Sequence, residues 1–306
     1  MNGMARHLGA GIALLSALGL VGCADASASD DVQIVVTTNI LGDVVEQVAG
    51  DEAHVTTLMK PNADPHSFEI SAQEGALLRN ADLVVSNGLG LEEGLQQHLD
   101  SAAEAGTELF AAGDAIDVLP YSTGDADGAP DPHFWTDPAR MIDVVDALET
   151  ELAAVSGIDA GTIAANAESY RTDLSQLDAD MTDAFDAIGE KNRALVTNHH
   201  VFGYLADRFD FRVVGAVIPG GTTLAAPSAA DLRDLADAID EAGVPTIFAE
   251  SSQPDRLVQA LASEVGVDVA VVELFTESLT EPGEGAATYL TMMRANTERI
   301  AEGLTP

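Results

Sequence analysis

The run AGTIAANAESYRTDLSQLDADMTDAFDAI, residues 160–188, decides the architecture. Ile163, Tyr170, Leu174, Leu177, Met181, Phe185 and Ile188 recur in it at helical spacing, the later steps being four, three, four, four and three residues. A helix of that length runs roughly 40 Å at 1.5 Å per residue. That is long enough to cross from one domain to another; the alternative is a long helix packed on one domain only. Upstream lies a second helical stretch, Asp137 to Val155, with Pro138 suited to its first turn.

On either side, apolar strand-like runs alternate with helical ones. Before the long helix the expected strands are Gln33 to Thr37, Val55 to Met59 and Leu83 to Val85. The expected helices are Ile40 to Val48, Ser71 to Asn80 and Leu91 to Asp100, with Ser71 and Glu74 spaced as a capping box. Ser122 to Pro132, rich in Gly, Asp, Ala and Pro, reads as a loop. After the long helix come strands at Ala194 to Thr197, Arg212 to Val217, Thr246 to Ala249 and Val267 to Val272. Helices follow at Phe202 to Phe209, Ala229 to Ala242, Arg256 to Val265 and Thr288 to Gly303. Continuous apolar strands between helices predict parallel sheets covered on both faces. The fold class is therefore α/β: an N-terminal lobe at 32–158, a linking helix at 159–189 and a C-terminal lobe at 190–306.

Residues 1–22 read as a signal peptide, with Arg6 before a short apolar region from Gly9 to Leu20. Leu20-Val21-Gly22-Cys23 resembles the lipobox of prokaryotic lipoproteins, which implies cleavage before Cys23 and its lipidation. The alternative is an ordinary secretion signal with a leftover cysteine. Residues 23–31 then form a small, polar tether. Cys23 is the only cysteine, so internal disulfides and cysteine-based zinc sites are excluded.

The formal net charge is -38. Such a field repels phosphates, which argues against a nucleic-acid partner, and it attracts cations diffusely. Lysine occurs only at positions 60 and 191. An acidic, lysine-poor surface fits a high-salt habitat or a GC-rich genome, and the sequence does not separate the two.

Four potential metal ligands follow strand-like segments: His66 in Asp64-Pro65-His66, His133 in Asp131-Pro132-His133, His199 in Asn198-His199-His200, and Glu277 in Phe275-Thr276-Glu277. Open parallel sheets bind ligands beyond the carboxyl ends of their strands. A site between two lobes would draw His66 and His133 from the first, His199 and Glu277 from the second. Three imidazoles and a carboxylate suit a divalent transition metal. Pro65 and Pro132 stiffen the loops that carry their histidines. Spacing does not decide whether His199 or His200 faces the ion, nor whether Glu277 or a water completes its shell. His54 and His98 read as surface residues.

With these segments in order, the chain resembles the cluster A-I (family 9) solute-binding proteins of zinc and manganese ABC transporters. The segments are residues 61–69 (PNADPHSFE), 81–92 (ADLVVSNGLGLE), 131–138 (DPHFWTDP), 197–204 (TNHHVFGY) and 274–279 (LFTESL), the last followed by Pro282-Gly283 and residues 288–293. The resemblance implies two lobes on a long rigid helix with metal in the cleft. It also implies delivery to a membrane permease driven by a cytoplasmic ATPase, and a receptor that is not an enzyme. His66, His133 and His199 match the family's first three ligand positions. Glu277 falls where relatives usually carry Asp, and His200 replaces a residue that is often Asp. The long His-rich loop of many zinc-directed relatives is missing, since residues 121–130 hold no histidine. The nitrogen-rich ligand set still places Zn(II) ahead of Mn(II) as the transported ion.

The expectation is an extracytoplasmic, lipid-anchored, monomeric metal receptor. One rival is a secreted zinc hydrolase, for which Glu250 is the best spare carboxylate to act as base, although no His-Glu-x-x-His helix is present. A surface adhesin is the other, and nothing in the sequence specifies its partner surface.

Overall fold

Gln33-Ile34-Val35-Val36 shows why this chain builds parallel sheets. Ile34 and Val36 point to one buried cluster and Val35 to another, so both faces of the strand are dry. The computed structural model describes residues 32–121, 128–218, 220–252, 256–265 and 269–305. The signal segment, Cys23 and the tether, and residues 122–127 of the acidic loop, lie outside them.

The first half runs β1 (Gln33–Val36), α1 (Asn39–Ala49), β2 (His54–Thr57), α2 (Ala72–Asn80), β3 (Leu83–Ser86), α3 (Gln96–Ala105), β4 (Leu109–Ala111) and α4 (Pro138–Ala154). All four strands are parallel, in the order β2-β1-β3-β4. Ser71 and Glu74 close the expected capping box at the start of α2. Asp137 caps α4 by accepting from the Ala139 N–H, with Pro138 in the first turn.

Several boundaries differ from the sequence expectation. Leu91 to Leu95 is not helical, and α3 starts at Gln96 and runs on to Gly106, which ends it in a left-handed conformation. Glu92 explains the late start. Its buried carboxylate accepts from the backbone N–H groups of Asn87 and Gly88 and from the Thr37 hydroxyl, which ties residues 87–92 into a loop. β2 starts one residue earlier than expected and ends at Thr57, while β8 ends at Leu274, two residues later than expected. The three-residue strand β4 was not anticipated.

Next, α5 (Ala160–Asp186) buries Ile163, Ala167, Tyr170, Leu174, Leu177, Met181 and Phe185 along one stripe. It packs on α1 and α4 of the first half and on α9 (Tyr289–Leu304) of the second. At its far end the Phe185 ring sits 5.2 Å from Phe209 and 5.0 Å from Phe211, both edge-on. The helix therefore serves both halves.

The second half runs β5 (Ala194–Thr197), α6 (Gly203–Phe209), β6 (Arg212–Ala216), α7 (Ala229–Ala242), β7 (Thr246–Glu250), α8 (Arg256–Val265) and β8 (Ala270–Leu274) before α9. β5 pairs with β6 and β7 with β8, both in parallel. β5 also lies alongside β7, without a ladder between them. The resulting order, β6-β5-β7-β8, repeats that of the first half. On the two central strands Leu195 and Phe248 join the core around α5, while Val196 and Ile247 face a second cluster with α7 and α8. No described helix is long and apolar enough to cross a membrane.

Candidate metal centre

Each of the four side chains hangs from a short segment beyond a strand. His66 lies in the turn-rich stretch between β2 and α2, and His133 precedes the 3-10 turn Phe134–Thr136 that leads into α4. His199 comes two residues after β5 ends at Thr197, and Glu277 three after β8 ends at Leu274. All four are buried.

Their tips converge. The Nε2 atoms of His66, His133 and His199 lie 3.1, 3.1 and 3.0 Å from Glu277 Oε1. His133 Nε2 is 3.3 Å from that of His66 and 3.4 Å from that of His199. One donor atom from each residue falls within 4.8 Å of every other. Donors about 2.0–2.1 Å from a tetrahedral ion are separated by about 3.3 Å along each edge, so these spacings suit a small divalent metal.

The Asp-Pro-His tripeptides work through their aspartates as well as their prolines. Asp64 Oδ1 accepts the His66 N–H at 2.9 Å, and Asp131 Oδ1 accepts the His133 N–H at 3.0 Å. Each aspartate bonds the backbone two residues on and so fixes where its histidine points. Asp131 Oδ1 also lies 2.7 Å from His133 Nδ1. A proton on that Nδ1 leaves the Nε2 lone pair free for a metal.

Glu250, the spare carboxylate of the hydrolase reading, stands behind His199. Its Oε2 is 3.2 Å from His199 Nδ1, an ion-pair distance. Asn198 Nδ2 and the Ser252 hydroxyl also donate to this carboxylate. His200 is not one of the converging donors and lines a neighbouring cavity of about 550 Å³ with Thr197, Gly203 and Asp207.

Three side chains fix the Glu277 segment. Asn296 on α9 accepts the Phe275 N–H and donates to the Phe275 carbonyl. Trp135 Nε1 donates to the Thr276 carbonyl at 2.8 Å. Asn39, at the start of α1, accepts the Leu279 N–H and donates to the Ser278 hydroxyl. Two of the three come from the first half, so the segment is held from both sides of the cleft.

Burial pushes the Glu277 carboxyl up, but His199 and His66 beside it and hydrogen bonds from His133 and His199 hold it well below the ordinary range. Burial pushes the His133 and His199 rings down, and facing carboxylates outweigh this. Asp131 and Glu277 raise His133; Glu277 and Glu250 raise His199 well above its usual value. The arrangement therefore favours the charged form of Glu277 and makes the His133 and His199 rings hold a proton more tightly than a free imidazole does.

Comparison with known proteins gives the family. The family model described as zinc-uptake complex component A, periplasmic, matches residues 34–303. The chain belongs to this family. It is 30% identical over 302 residues to the manganese-binding lipoprotein MntA of Bacillus subtilis, covering 95% of this chain and 97% of that one. It is 27% identical over 313 residues to the manganese ABC transporter substrate-binding lipoprotein PsaA of Streptococcus pneumoniae, covering 99% of each. The solved periplasmic zinc binding protein TroA from Treponema pallidum superposes with a TM-score of 0.83 at 30% identity, over 90% of this chain and all of that one. The two-lobe α/β fold on a long helix is thus a family fold, and these metal-binding relatives offer no support for the hydrolase or adhesin readings.

Several residues that build the centre were not picked out from the sequence. Asp64 and Asp131 carried a usable signal, an Asp two residues before each candidate histidine. Asn39, Trp135 and Asn296 carried none, because their roles depend on contacts across 100 or more residues or on a helix packing over a strand end.

Proposed function

We propose that this chain is an extracytoplasmic receptor that captures Zn(II), with Mn(II) as the second-ranked ion, on His66, His133, His199 and Glu277, and hands it to an ABC permease. The observation that carries this reading is the convergence of three Nε2 atoms on Glu277 Oε1 at 3.0–3.1 Å. Those spacings and the nitrogen-rich donor set favour zinc, which also lies above manganese in the general affinity order. The names MntA and PsaA are manganese names, so the ranking needs a direct measurement.

The lobes would be residues 32–158 and 190–306 on the helix at 159–189. Anchoring would be through lipid on Cys23, supported by Leu20-Val21-Gly22-Cys23 and by the lipoprotein names of the relatives. The chain would work as a monomer with its permease and ATPase.

Competition titration of the full chain with Zn(II) and Mn(II) tests the reading. One ion per chain is expected, with zinc displacing manganese and no tight binding in His66→Ala/His199→Ala. Weak, multiple, salt-sensitive binding would instead mean a diffuse acidic surface. Cys23→Ser should move the chain from the membrane to the soluble fraction.

A further inference from the structure

The segment 220–224, between β6 and α7 of the second lobe, reaches back to the first lobe at two points. Thr223 Oγ1 donates to Asp64 Oδ2 at 2.6 Å. Gly221 offers its carbonyl to the Tyr121 hydroxyl at 3.0 Å. Both first-lobe partners bear on a histidine of the cluster. Asp64 holds the His66 N–H through its other oxygen. Tyr121 Oη lies 3.2 Å from His133 Nδ1. With its proton given to Gly221, the phenol oxygen faces that ring nitrogen as an acceptor beside Asp131.

Little apolar burial fastens this segment. Gly221, Thr222 and Thr223 are only partly buried, and Leu224 is 58% exposed. A stretch with few apolar anchors opens at low free-energy cost, so its polar contacts decide whether it stays seated. Contact with Tyr121 is close as well: a Cβ on Gly221 would lie 2.6 Å from the Tyr121 ring.

We propose that Thr223 and Tyr121 are positioning residues that form a two-point latch. With segment 220–224 seated, they hold Asp64 and the His133 ring, and through them the two first-lobe histidines, in place around the ion. The proposal rests on the ligand set given above. Contacts of this kind act on escape more than on capture, because affinity differences among variants of one site lie mostly in the off-rate.

Stopped-flow release of Zn(II) from the full chain into excess chelator tests this, alongside the capture rate and the melting temperature of the metal-free chain. Thr223→Val keeps the shape and deletes a hydrogen bond to a charged acceptor, so release should quicken about tenfold. Tyr121→Phe deletes a bond to a neutral carbonyl and should quicken release about threefold. Thr223→Ser keeps the hydroxyl and should release like the parent. Gly221→Ala, which pushes against the Tyr121 ring, should also release faster. Capture rates and metal-free melting should not move. Release within twofold of the parent for both Thr223→Val and Tyr121→Phe would overturn the latch and leave the ligand set standing, as would a Thr223→Ser chain as fast as Thr223→Val. A loss of metal-free melting temperature matching the faster release would also overturn it, in favour of a purely structural role. A parent that binds no ion would overturn the receptor reading and the latch with it.

Discussion

Asp131 presents one oxygen to His133 twice, at 3.0 Å from its backbone nitrogen and at 2.7 Å from its ring Nδ1. The contact sets the direction of the ring and the face it offers to a metal. Groups that orient a ligating histidine typically contribute 10–100-fold to metal affinity. Asp131→Ala should therefore weaken zinc binding by about that factor, read by competition with a fluorescent chelator. An unchanged affinity would mean that packing alone orients His133.

Binding should release protons. The His133 and His199 rings are raised in the metal-free chain, so they add stability below about pH 6.5 that is lost as pH climbs through their folded values. Glu277 is lowered, so its contribution is present above about pH 4.5 and is lost as pH falls through its folded value. The cluster thus stabilises the metal-free chain most between about pH 4.5 and 6.5. A metal has to displace those protons, so affinity should rise steadily from pH 6 to pH 8. Calorimetry at pH 7 in buffers of different ionisation heat should show net proton release; none would contradict ligation by these rings.

Asp137 gives a pH effect away from the cluster. Burial pushes its carboxyl up to about 6, against the Ala139 N–H and the nearby Arg208 and Arg140. A carboxyl raised in the fold resists ionisation, so stability falls as pH rises from about 4 to 6 and levels off above that. Asn also caps helices well. Asp137→Asn should remove the slope and raise stability at pH 7.5 by about 1–2 kcal/mol, less at pH 4. Urea melts at the two pH values check this, and a destabilised variant at pH 7.5 would show that Arg208 and Arg140 dominate.

Phe185 joins α5 to the second lobe by stacking edge-on against Phe209 and Phe211. It is essentially fully buried. Phe185→Ala should cost about 3–5 kcal/mol in denaturant unfolding. A loss below about 1 kcal/mol would mean that the end of the helix is not carrying the lobe, since even a well-relaxed aromatic deletion exceeds that.

Much of this was legible in the sequence because burial writes itself into side-chain pattern. The two-faced strands, the stripe on α5 and the Ser71–Glu74 box each follow from local periodicity or a local hydrogen bond. β4 was not legible, because three residues are too short to show a period. The start of α3 was misplaced because Leu91 and Leu95 keep helical spacing while Glu92 spends its carboxylate on loop amides. His199 and His200 were inseparable because strand alternation stops with β5 at Thr197. The aspartates of the two Asp-Pro-His turns were legible in principle, as short-range bonds; Asn39 and Trp135 were not, because only the assembled cleft brings them to Glu277.

Trp135 is the only tryptophan in the chain. Its ring lies 5.2 Å from that of His133, and its Nε1 holds the carbonyl of the residue before Glu277. All of the protein's indole emission therefore originates at one point beside the cluster, where a protonated imidazole is a quencher and a change in the cleft alters the indole's surroundings. The chain carries its own optical probe, and loading or acidification can be followed by ultraviolet light alone, without a dye.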